Sequence, residues 1–160
     1  MSNKNTVVRA IRIDSSLDKA LAENATEKGL SFNLLVNKVL TKYAEFDKVS
    51  EKLGFVGFPP SSLKHFLNLV SIEEAEKMGT LSGFSGENAK QFTNMLVGRY
   101  NMQGFLETLG LIGKYTKAFS SEIISRDDGC LIIMSHALGE KWSHFLKGML
   151  LSTLRDVYGV

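Results

Sequence analysis

The sequence predicts a mainly α-helical protein with short strands. A strand-and-two-helix domain over residues 1–53 precedes an α+β domain over 54–160, in which helices surround a β-hairpin. Three features carry this prediction. Residues 6–13 (TVVRAIRI) are rich in β-branched residues, as a strand is. Apolar side chains recur at three- and four-residue spacing through most of the chain after Asp14, as on buried helix faces. The stretch GFVGFPPSS (54–62) gathers both prolines and two glycines, the strongest break in the chain.

Each element has a local cause. DSSLDKALAENATEKG reads as a helix, with Asp14 as N-cap, Leu17, Leu21 and Ala25 on one face, and Gly29 where a left-handed residue is wanted. LSFNLLVNKVLTKYAEFDKVSEKL reads as a second helix capped by Ser31, with Leu35, Val36, Val39, Leu40 and Tyr43 as a broad apolar face. Beyond the break, SSLKHFLNLV has a serine cap and a stripe of Leu63, Phe66, Leu67 and Val70. SIEEAEKMG opens with a capping-box pattern, Ser71 to Glu74, and ends at Gly79. TLSGFSG is a loop, and ENAKQFTNMLVGRYN and MQGFLETLGLIGKYTK are two further helices, the second weakened by its glycines. AFSSEIIS and CLIIMSH pair as a hairpin about an Asp128-Gly129 turn. A final helix, ALGEKWSHFLKGMLLSTLRDVYG, buries Leu138, Trp142, Phe145, Leu146, Met149 and Leu150.

Composition narrows the function classes. A single cysteine, Cys130, excludes an internal disulfide and fits a reducing compartment. No apolar run approaches the roughly 20 residues of a membrane span, and MSNKNTVVRA lacks the apolar middle of a secretory signal. A soluble, cytoplasmic protein without membrane association is expected. Residues 1–48 hold eight Lys/Arg against six Asp/Glu, and the remainder hold eleven of each. Lys4, Arg9 and Arg12 precede the first acid, a weak footprint of the kind that attracts a phosphate backbone.

The first fifty residues cannot be stable alone. Their strand has no partner, so its backbone groups stay unpaired at both edges, and the helices carry more apolar face than they can bury on each other. Two chains solve both problems: the strands pair antiparallel and four helices close a shared core, giving a two-fold dimer.

VVRAIRIDSSLDKALAENATEKGLSFNLLVNKVLTKY resembles a ribbon-helix-helix DNA-binding domain, the family of the Arc, methionine and CopG-type repressors. The resemblance covers about residues 5–46. It rests on the strand ending in RID, the first helix with Leu17, Leu21 and Ala25, the KGLSFN turn, and the apolar second helix. It implies a two-stranded ribbon in the major groove of double-stranded DNA, alternate residues facing the bases. It places Ile11 and Ile13 inside and Thr6, Val8, Ala10 and Arg12 on the groove face. The opposite register would bury Arg12 and expose both isoleucines, costing roughly several kcal/mol at about 25 cal/mol per Å² plus an unpaired charge. Arg12 can bind guanine bidentately and Thr6 can donate and accept, whereas Val8 and Ala10 can only touch a thymine methyl. The face departs from the family, which usually carries several polar readers. Lys4 and Arg9 are expected on phosphate. So are the first amides of the second helix, at Ser31, Phe32 and Asn33, through hydrogen bonding and the helix dipole.

The second domain carries weaker signals. Cys130, His136, His144 and His65 lack a metal-ligand spacing, and Cys130 reads as a small core residue, so no metal or other cofactor is expected. Ser135, His136, Glu140 and Ser143 cluster at a strand-to-helix turn, but no G-x-S-x-G elbow, P-loop or G-x-G-x-x-G pattern accompanies them. A histidine in a helix cap is the favoured reading, and no catalytic residue or enzyme activity is expected. The plan is similar to ribbon-helix-helix regulators with a C-terminal sensing domain, as in the nickel regulators. The first role expected of 54–160 is further oligomerisation, dimer to tetramer. The next is a pocket for a small-molecule effector. The whole chain is then expected to be a sequence-dependent DNA-binding transcriptional regulator, a repressor acting as a homodimer or higher oligomer. The alternative is a protein-interaction, antitoxin-like adaptor whose N-terminal domain mainly dimerises.

Overall fold

A computed structural model describes residues 6–82, 86–127 and 129–159. It is mainly helical with a small two-stranded antiparallel sheet, and it divides between Lys42 and Tyr43 into two compact units. No helix among the described residues is long and apolar enough to cross a membrane.

The first unit holds α1 (Ser15–Glu27) and α2 (Phe32–Lys42). Asp14 stands at the N-cap with extended backbone, but only its carbonyl is used, accepting from the amide of Asp18 at 2.9 Å. The helix stops at Gly29, whose φ of +61° suits a residue without a Cβ. The amide of Leu30 donates to Ala25 and that of Gly29 to Thr26, the paired bonds of a Schellman ending. Ser31 then starts α2, its Oγ accepting from the Leu34 amide at 3.3 Å. Residues 6–13, expected as a strand, have no regular secondary structure in the single chain. A strand is held by its neighbour's hydrogen bonds, and among the described residues the only strand pairing is that of the hairpin at 120–135.

The second unit begins with a π-helical turn (Tyr43–Asp47) and α3 (Lys48–Lys52). The break between compact units therefore falls earlier than the Pro/Gly-rich stretch, because Phe46 and Val49 belong to the second unit's core. α4 (Pro60–Asn68) starts at a proline, which needs no amide partner in a first turn, and not at a serine cap as expected. Its stripe is only partly inward. Leu67 is buried, while Phe66 turns outward to meet Phe58 edge-on at 5.7 Å.

α5 (Ile72–Thr80) has the expected capping box. Ser71 Oγ accepts from the Glu74 amide at 3.1 Å and Glu74 Oε2 accepts from the Ser71 amide at 2.6 Å. Gly79 does not end it but lies inside it, against α8. α6 (Gly86–Val97) and α7 (Met102–Thr116) follow, the latter capped by Asn101 Oδ1 on the Gly104 amide at 2.8 Å. Of the loop expected at 80–86, residues 83–85 lie outside those described.

β1 (Ser120–Arg126) and β2 (Gly129–Ser135) form the expected hairpin, in register from Ser120↔Ser135 to Arg126↔Gly129. That register makes Gly129 the first residue of β2 and not a turn centre. Asp128 lies outside the described residues. α8 (Glu140–Thr153) starts after Gly139, later than expected, and runs into a second π-helical turn (Leu154–Tyr158). Trp142, Leu146 and Met149 are buried on α8 with Ala75 of α5, Phe105 and Leu109 of α7, and Phe119. Phe145 and Leu150, expected inside, are half-buried beside that core.

Candidate functional site

Two surfaces bring together residues with binding chemistry. The first is the start of unit one. Thr6, Val8, Arg9, Ala10 and Arg12 are all exposed, Val8 at 97%. Lys4 lies outside the described residues. Ile11 and Ile13, expected inside, are exposed in the single chain at 69% and 38%, since the core expected to receive them needs a second copy. Ser31 and Asn33 are exposed and Phe32 is half-buried. With Ser31 Oγ taken by Leu34, the amides of Phe32 and Asn33 lie in the first helical turn, where no intrahelical carbonyl reaches them. An anion could be their partner.

The apolar faces of this unit are largely unburied. Among its described residues, only Ala25 and Leu35 are buried apolar side chains. Leu17 (48%), Leu34 (46%), Val39 (51%) and Leu40 (57%) join Ile11 in facing outward.

The second surface lies in unit two, where a groove of about 390 Å³ separates β2 from α8. Ile132 and Met134 form one wall. Leu146, Leu150, Leu151 and Leu154 form the other. At its polar end, His136 Nδ1 accepts from the Leu138 amide at 3.3 Å, and Nε2 lies 3.0 Å from Ser143 Oγ. A nitrogen that accepts from an amide carries no proton, so the ring proton sits on Nε2 and is donated to Ser143. Partial burial lowers the His136 pKa, which favours this neutral form. The pair is therefore not wired as nucleophile and base: Nε2 already holds the proton that a base would have to take.

Lys147, one turn beyond Ser143, also lines the groove. Its ammonium reaches both oxygens of Glu76, at 2.8 and 3.0 Å, and His144 Nδ1 lies 3.2 Å from Glu76 Oε2. Hydrogen bonds from Lys147, then from His144, hold the Glu76 carboxyl below its usual pKa.

Of the cluster Ser135, His136, Glu140 and Ser143, hydrogen bonding joins His136 to Ser143; the histidine braces a turn at Leu138 and does not cap α8, whose N-cap is Gly139. Cys130 is exposed, not a core residue, because it is the second residue of β2, beside the turn at the tip of the hairpin. Among the described residues, no three His, Cys, Asp or Glu side chains are grouped as a metal would need, and His65 stands apart on α4. Sequence reading missed Lys147, Leu151 and Leu154. The rows 143-147-151 and 146-150-154, each at four-residue spacing on one helix, were the available signal. Compared with protein-family models, curated proteins and solved structures, the chain matches none.

Proposed function

We propose that this chain is a DNA-binding transcriptional regulator, a repressor that acts in the cytoplasm as a homodimer. In this reading, residues 6–13 of two copies pair as an antiparallel ribbon in the major groove, a ribbon-helix-helix arrangement. Thr6, Val8, Ala10 and Arg12 face the bases. Lys4, Arg9 and the first turn of α2 at Ser31, Phe32 and Asn33 hold phosphate. The supporting observation is the apolar face of the first unit: Ile11, Leu17, Leu34, Val39 and Leu40 are about half or more exposed, and among the unit's described residues two apolar side chains are buried. Burying one such side chain contributes about 1.5–3 kcal/mol. Several per copy are needed to offset the 4–15 kcal/mol or so that association costs in lost freedom. A second copy supplies a matching face and also the missing strand partner.

The second unit then oligomerises the dimer further, to a tetramer, or senses a small-molecule effector. An antitoxin-like adaptor that only dimerises is the second reading. It is favoured by Val8 and Ala10, which stand where polar readers would and offer no hydrogen bonds through their side chains.

Sedimentation of the purified chain over a range of concentrations, with fluorescence anisotropy on genomic DNA fragments at several salt concentrations, tests both readings. A dimer whose affinity falls steeply with salt and differs between fragments is expected. A dimer indifferent to DNA at low salt would leave the adaptor reading. A stable monomer would remove both.

A further inference from the structure

We propose that the groove between β2 and α8 binds a free aliphatic carboxylate, its chain along the leucine row and its head at Ser143 and Lys147. The walls are apolar for most of their length, and about 390 Å³ lies within the range of small-ligand pockets. The polar end decides the head group. His136 uses Nδ1 on the Leu138 amide and Nε2 on Ser143, so neither nitrogen is left to accept from a ligand. Ser143 Oγ accepts that bond, and its own O–H is left to donate. Among the described residues, Lys147 is the one charged side chain lining the groove, and Glu76, which pairs with it, is not part of the lining. An ammonium has three donors, and the two Glu76 oxygens engage two of them. The groove's polar complement is thus the Ser143 O–H and the remaining N–H of an ammonium ion-paired with Glu76, donors that match the acceptor head of a ligand with an apolar body. Ser143, Lys147 and Leu151 follow one another along α8 at four-residue spacing, beside Leu146, Leu150 and Leu154, so head and tail lie along one helix face.

This inference rests on the reading of the second unit as a sensor only for its regulatory meaning. The binding is measured without DNA, so a chain that ignores DNA and still takes the carboxylate leaves it standing. Calorimetric titration of the full chain with octanoate, octanol and octylammonium reads the head-group preference. Saturable binding is expected in the order octanoate, octanol, octylammonium. Lys147→Gln should weaken octanoate about tenfold or more, the worth of a charge-assisted hydrogen bond, and octanol by a smaller factor. Leu151→Ser should weaken octanoate and octanol alike. Circular dichroism melts superimposable on the parent's show that both variants are folded. Equal affinity for octanoate and octanol, no effect of Lys147→Gln on a folded chain, or no saturable binding overturns the proposal. So does binding to anionic phospholipid vesicles without binding of free octanoate, which would make the groove a lipid-surface contact.

Discussion

Gly79 of α5 and Gly148 of α8 lie at one close helix crossing. A Cβ on Gly79 would sit 2.0 Å from the carbonyl oxygen of Phe145, and one on Gly148 would sit 2.1 Å from that of Glu76. Both obstacles are backbone, which cannot swing aside. The approach lets α5 and α8 bury Ala75, Leu146 and Met149 and sets Glu76 beside His144 and Lys147. Gly148→Ala must spread the helices, and a loss of about 3 kcal/mol or more in denaturant unfolding is expected. Gly110→Ala is the control. Gly110 lies inside α7, where a Cβ would meet nothing within 4 Å, so a gain of about 0.5–1 kcal/mol is expected from helix propensity alone.

Trp142 ties α8 to the entry of the hairpin. Its indole Nε1 donates to the Ala118 carbonyl at 3.0 Å, and its ring stacks on Phe145 at 4.6 Å. Trp142→Phe keeps an aromatic ring but strands the carbonyl. A loss of about 1–3 kcal/mol is expected, measured as a shift of the unfolding midpoint without a change in slope.

Acid should unfold the chain through named carboxylates. Backbone and side-chain hydrogen bonds from Ser71 lower the Glu74 pKa, and hydrogen bonds from Arg99 and then Gln103 lower that of Glu107. Lys147 and His144 do the same to Glu76. A carboxyl with a depressed folded pKa contributes stability that is present above its unfolded value, about 4.3, and lost as pH falls through the folded value. Melting temperature should therefore drop as pH is lowered below that range. Glu74→Gln should flatten the drop, and an unchanged profile would show that the cap contributes nothing through its charge.

Arg12 and Arg9 should separate under DNA binding. Arg12→Ala should cost about 1–3 kcal/mol on preferred fragments and little on others, since a bidentate base contact carries sequence information. Arg9→Ala or Lys4→Ala should weaken all fragments alike and reduce the salt slope by about 1. Anisotropy at several salt concentrations reads both effects. Matching profiles for Arg12→Ala and Arg9→Ala would deny Arg12 a reading role.

Local features were legible in the sequence. The Ser71–Glu74 capping box, the Gly29 helix ending and the two-stranded hairpin depend on residues a few positions apart, whose chemistry names its partner. Of the groove's polar end, the proximity of His136 and Ser143 was visible for the same reason. Glu76 and Lys147, 71 positions apart, were not. Gly79 read as a terminator because glycine ends helices more often than it admits a neighbour.

By itself, the sequence determined the helical order, the hairpin, the caps at Ser31 and Ser71 and the excess of apolar surface on α1 and α2, because each arises from short-range periodicity or from a residue's intrinsic conformational range. Only the tertiary structure decided that Phe46 and Val49 belong to the second unit, that Cys130 is exposed, that two glycines let α5 approach α8, and that Ser143 and Lys147 share a groove with β2. These depend on which faces meet. Close packing settles that over the whole unit at once, and no short window of sequence contains it.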